Sequence, residues 1–97
     1  MEKTVILNVT YVMGPGGAEG FVKDLTDAGI LAQIRAHEGC LKYDYYKALD
    51  SDDLLLVEWW TDHAALDEHQ ACAYMKELGA IKNKYASDTK VEKYIIG

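Results

Sequence analysis

The chain has 97 residues, with 16 acidic against 10 basic side chains and a formal net charge of −6. That length predicts one domain spanning 1–97, and a hydrophobic content of 49% suits a packed core rather than a disordered chain. The acidic balance argues against nucleic acid and against an anionic membrane surface, because both require clustered Lys and Arg. Two cysteines, Cys40 and Cys72, make neither a disulfide framework nor a CxxC metal pair. No apolar run is long enough to span a bilayer, and Met1-Glu2-Lys3-Thr4 does not open a signal peptide. The expectation is a soluble, cytoplasmic protein.

Val5-Ile6-Leu7-Asn8-Val9-Thr10-Tyr11-Val12 is β-branched and aromatic, and predicts a strand. It stops at Gly14-Pro15-Gly16-Gly17, which lacks the Lys-Ser/Thr of a P-loop and reads as a turn. Residues 18–38 predict a helix, with Phe21, Leu25, Ala28 and Ala32 on one face. Gly29 inside it suggests a close approach by a neighbour, and Gly39 supplies the stop. Leu41–Ala48 and Leu54–Trp60 predict a hairpin with a polar tip. A second helical region covers 62–85, capped by Thr61 or Asp62, with Tyr74, Leu78, Ile81 and Tyr85 in a stripe. Ala65, Leu66 and His69 are out of phase with that stripe, which predicts a bend at 71–73. Val91–Ile96 predicts a last strand. The order β-α-β-β-α-β is the α+β, ferredoxin-like pattern of an antiparallel sheet with both helices on one face.

Both alternating faces of Leu54–Trp60 are largely apolar. Two helices cover one sheet face only, and burying a large side chain contributes roughly 1.5–3 kcal/mol. A homodimer packed through the sheet face is therefore expected.

Three stretches carry a family pattern: Glu38-Gly39-Cys40, then Glu58-Trp59-Trp60, then Ala65-Leu66-Asp67-Glu68-His69. In that order and spacing the chain resembles the antibiotic biosynthesis monooxygenase family, including its quinol-monooxygenase-like members. The first strand, its Pro-Gly turn and Phe21 extend the resemblance over nearly the whole domain. It implies a dimeric α+β barrel with a small-molecule pocket in each subunit between sheet and helices. It also implies oxidation of quinols, polycyclic phenols or anthrones by O2 as co-substrate, with no flavin or metal cofactor. Many members continue the helix motif as H-x-x-[ST]-P-H, whereas this chain reads His69-Gln70-Ala71-Cys72-Ala73-Tyr74. The second imidazole of the pattern is thus a phenol. Haem-degrading relatives use a histidine late in the second helix, and no histidine follows His69 here.

The candidate catalytic residues are His69, as base or oxyanion donor, and Glu58, as acid/base or as the orienter of His69. The alternatives are a histidine satisfied by local hydrogen bonds near the helix bend, and an interface or edge carboxylate paired with Lys or Tyr. Trp60 shares a face with Glu58 and is a candidate wall for a flat substrate, or a core tryptophan. Tyr74 and Asn8 are candidate hydrogen-bonding groups for substrate oxygens. His37 and His63 are expected at the surface. No metal site is expected, since His69/Cys72 and His63/Asp67 supply only two ligands each. The leading reading is a cofactor-independent monooxygenase of a hydroquinone or polycyclic phenol. A non-oxidative isomerase or tautomerase of a small carbonyl compound, and a non-catalytic binding dimer, are the alternatives.

Overall fold

A computed structural model describes residues 3–97. The chain runs β1 (Thr4–Met13), α1 (Gly17–Asp27), α2 (Ile30–Ala36), β2 (Cys40–Lys47), β3 (Leu54–Trp60), α3 (His63–Gln70), α4 (Tyr74–Tyr85) and β4 (Ala86–Ile96). The strands form one antiparallel sheet in the order β2-β3-β1-β4. This is the ferredoxin-like α+β fold, with each helical region divided in two.

The divisions have different causes. Gly29 ends the first helical segment because its φ is +75°, a left-handed value that glycine alone adopts without penalty. A Cβ at Gly29 would meet nothing within 4 Å, so no neighbour packs closely there and that expectation is corrected. The break also ends the predicted stripe. Phe21 and Leu25 are fully buried, but Ala28 and Ala32 are exposed, and α2 buries Ile30, Leu31 and Ile34 instead. The second division falls at 71–73, where the change of phase predicted a bend. Asp62 caps α3, its Oδ1 accepting the Ala65 N–H at 2.8 Å. The last strand begins five residues earlier than expected and pairs with β1 along its length.

Strand alternation sorts the sheet into two faces. Val5, Leu7, Val9, Tyr11 and Met13 of β1 lie under the helices with Leu54, Leu56, Glu58 and Trp60 of β3, all buried. The other face carries Leu55, Val57, Trp59, Tyr46 and Tyr94. Trp59 remains 39% exposed and Tyr94 49%. Both phases of β3 are largely apolar, yet only one of them meets helices within the chain.

Gly39 joins α2 to β2 with φ +88°, and a Cβ there would stand 2.5 Å from the Ala65 Cβ and 2.9 Å from the Thr61 Oγ1. The turn must therefore be glycine twice over, for its backbone conformation and for the seating of α3. Gly39→Ala is expected to cost about 2–4 kcal/mol, from left-handed strain plus overpacking. Thermal unfolding checks this, as a fall of the midpoint by roughly 10 °C or more.

Candidate active site

β3 sets Glu58 and Trp60 two residues apart, hence on one face, and that face is the one beneath the helices. α3 turns His69 onto the same spot from above. The three side chains are closed off from solvent, at 6%, 0% and 2% exposure. The indole Nε1–H of Trp60 donates to Glu58 Oε1 at 3.1 Å. The imidazole of His69 stacks on the indole, with centroids 4.6 Å apart and planes at 24°. Its Nε2 stands 3.8 Å from the same Glu58 oxygen. Beyond the helix break, the Tyr74 hydroxyl lies 2.5 Å from His69 Nδ1.

The environment sets the protonation states. Burial pushes the Glu58 carboxyl up to about 7, while the Trp60 N–H pulls it back. Burial, and then the neighbouring His37, hold His69 down at about 4. Burial likewise raises the Tyr74 phenol, so it keeps its proton. At neutral pH the imidazole is uncharged and carries one proton. We assign that proton to Nε2, which faces the carboxylate oxygen. Nδ1 then accepts the Tyr74 O–H. The arrangement is a directed series: phenol O–H to imidazole, imidazole N–H toward carboxylate. The carboxylate is the group poised to exchange a proton near neutral pH.

Four of the five candidate residues thus come together: Glu58, Trp60, His69 and Tyr74. Asn8 does not join them. It pairs with Val57 and Glu92 on the other face of the sheet, and is half-buried there. The signal for this lay in Thr4, Asn8 and Thr10, which share one parity of the strand. Trp60 does not offer the His69 side of its ring to a ligand, because the imidazole covers it. His63 is exposed as expected. His37 is not a plain surface residue: half-buried at the end of α2, it meets Trp60 edge-on at 5.8 Å and His69 at 6.4 Å. Tyr43 also escaped the sequence reading. It is buried in register with Glu58 and lies 5.8 Å from His69. The alternation Tyr43, Tyr45 along β2 was the available signal.

The space between sheet and helices is filled by these side chains. Surface clefts of about 430, 410, 350 and 200 Å³ open elsewhere, and none of the four is lined by Glu58, Trp60 or His69. Among the described residues, no group of three His, Cys, Asp or Glu side chains is placed to hold a metal ion, and no helix is long and apolar enough to cross a membrane.

The raised carboxyl has a consequence for stability. Folded Glu58 holds its proton more tightly than the unfolded chain, so its contribution is fully present below about pH 4.5 and is lost as pH rises through 7. Relative to wild type, Glu58→Gln should therefore gain on the order of 2 kcal/mol between pH 4.5 and 7.5. Urea unfolding of both proteins across that range checks it, and a difference that does not vary with pH would contradict the assignment.

Comparison with known proteins follows the same lines. The sequence model of the family described as antibiotic biosynthesis monooxygenase matches residues 4–80. Over 53 residues the chain is 38% identical to "Putative monooxygenase Rv0793" of Mycobacterium tuberculosis, a match that covers 55% of this chain and about half, 52%, of that protein. The crystal structure of PA3566 from Pseudomonas aeruginosa superposes with a TM-score of 0.80 at 28% identity, covering 97% of this chain and 94% of that one. A Bacteroides thetaiotaomicron protein described as of unknown function and a possible oxidoreductase gives 0.84 at 22% identity, over 99% and 100% of the two chains, which shows the shared fold. With the three motifs gathered around one buried cluster and the family pattern matched from β1 into α4, the chain belongs to the antibiotic biosynthesis monooxygenase family.

Proposed function

We propose that the protein is a monooxygenase that uses O2, without a further cofactor, on a hydroquinone or polycyclic phenol of the anthrone type. The observation that carries this reading is the series from buried Glu58 and His69 to half-buried Tyr74, on the fold of a family named for monooxygenases. A carboxylate that titrates near 7 is matched to removing a phenolic proton at neutral pH. Glu58 takes that proton, and the His69 N–H, held in orientation by Tyr74, steadies the developing oxyanion. The electron-rich anion then reduces O2. One oxygen atom enters the ring and the other leaves as water with two substrate hydrogens, so a hydroquinone gives a hydroxyquinone and an anthrone methylene gives a ketone. Both electrons needed to reduce the second oxygen atom come from the substrate. Exclusion of water by the closed core protects the anion from reprotonation.

Oxygen uptake by metal-stripped protein over hydroquinones, naphthohydroquinones and anthrones, with mass analysis of products, tests the reading. Uptake with one added oxygen atom is expected. Conversion that persists without O2 would instead identify an isomerase or tautomerase, and tight binding with no product a binding protein. Glu58→Gln should lower kcat by about 10²–10⁴-fold, and wild-type kcat should rise to a plateau above about pH 7 as the carboxyl ionises. His69→Ala should lower turnover while the fold persists by circular dichroism; wild-type rates in that variant would remove His69 from the mechanism.

The working form we propose is a homodimer through the open sheet face. Trp59, Tyr46, Tyr94 and Ile96 are 39–55% exposed on that face, more aromatic and aliphatic surface than a lone subunit leaves in water. Light scattering should give about twice the 10.8 kDa chain mass. Trp59→Asp, which sets a charge amid the apolar rows, should give the single-chain mass.

A further inference from the structure

A reaction centre with three side chains at 6% exposure or less needs a way in. We infer that the cleft between α1 and the β2–β3 hairpin is the mouth through which a flat, uncharged phenolic or quinonoid ring reaches Glu58 and His69, with Tyr45 as its gate and first hydrogen-bonding group. The chemical class of the ring rests on the oxygenase reading above; the route does not.

The cleft has a volume of about 410 Å³, within the range of small-molecule sites. Ala18 and Leu54, both 3% exposed, and the half-buried Val22 make its floor apolar. Lys23 and Lys47 stand on the rim, but both are engaged. Lys23 pairs with Asp27 at 2.6 Å, and Lys47 with Asp52 at 3.9 Å and the Ser51 carbonyl at 3.0 Å. The rim therefore does not select an anion, and an uncharged ring suits it.

Tyr45 ties this cleft to the centre. Tyr45 lines the cleft, while its hydroxyl is buried near the Tyr43 phenol and meets no described residue in hydrogen-bonding geometry. A buried hydroxyl without a partner is a cost that the free protein carries, and a ligand oxygen arriving beside it removes that cost. Behind Tyr45 the aromatic rings run on without interruption. Tyr43 lies 5.9 Å away edge-on, His69 lies 5.8 Å beyond Tyr43, and Trp60 stacks 4.6 Å from His69. Displacing one ring at a time opens a passage to Glu58 with π-faces along its walls. The 200 Å³ cleft, which Tyr43 itself lines, is a poorer route: Arg35 stands across it, donating to the Tyr43 carbonyl at 2.9 Å and pairing with Asp44 at 3.6 Å.

The test is stopped-flow binding of 1,4-naphthoquinone, read as quenching of indole emission, alongside oxygen uptake with 1,4-naphthohydroquinone. Val22→Phe narrows the cleft and should slow association about tenfold, while Leu41→Phe, beside the smaller cleft, should leave it within about twofold. Should Val22→Phe fail to fold, Glu19→Phe on the exposed rim of the same cleft serves instead. Tyr45→Phe should weaken binding about five- to tenfold without lowering the unfolding midpoint, because it deletes a hydroxyl that the free protein leaves unpaired. Unchanged association in the cleft variants, or no binding of naphthoquinone by the wild type, overturns the route. Slowed association with no oxygen uptake in the wild type keeps the route and removes the oxygenase reading instead.

Discussion

A carboxylic acid on the inner face of an apolar strand constrains everything around it. Glu58 sits among Leu54, Leu56 and Trp60 beneath the helices, where an unpaired charge is costly. Burial meets that cost in part by favouring the protonated form, and the Trp60 N–H satisfies one oxygen. His69 is brought to the same oxygen from the opposite layer. The sheet supplies the acid and the helices supply the imidazole, so the cluster exists only when the two layers are docked. Gly39 makes that docking close, because any side chain there would push α3 away.

The break between α3 and α4 decides which side chain meets His69. A continuous helix would put residue 74 five positions on from His69, around the cylinder and out of reach. Three non-helical residues bring the Tyr74 hydroxyl back to Nδ1. The departure from the family pattern, a tyrosine in place of the second histidine, therefore does not leave a vacancy. It replaces a group that can take up a proton with one that donates a hydrogen bond and keeps its own proton. Of the clustered groups, Glu58 is then the one that exchanges a proton near neutral pH.

The same strand that carries the acid also carries the unmet demand on the other side of the sheet. Trp59 is adjacent to Glu58 in sequence and opposite to it in space. β4 has the same problem more acutely, since Val91 and Ile95 remain more than half exposed on the helix side where no helix reaches. A polar cluster sealed from water on the inner face and an apolar outer face are two consequences of one strand having hydrophobic residues in both phases.

Much of this was legible in the residues themselves. The strands, the hairpin and the helix break follow from local periodicity. The shared face of Glu58 and Trp60 follows from spacing alone, and the i, i+4 relation of Ala65 and His69 gives the buried side of α3. These are short-range properties, dictated by backbone geometry within a few residues. What sequence could not decide was long-range. Asn8 shares its parity with Thr4 and Thr10 but also with Ile6 and Val12, a mixed signal that the pairing with Val57 and Glu92 settles. Gly29 breaks its helix through a backbone angle, not through a packing contact. His37, Tyr43 and Tyr45 enter the neighbourhood of the centre through strand register and the stacking of the two layers. Elements and faces were thus written in the chain, whereas the distances between them, and with these the protonation states of Glu58 and His69, came only from the tertiary fold, because burial and charge proximity are properties of residues far apart in sequence.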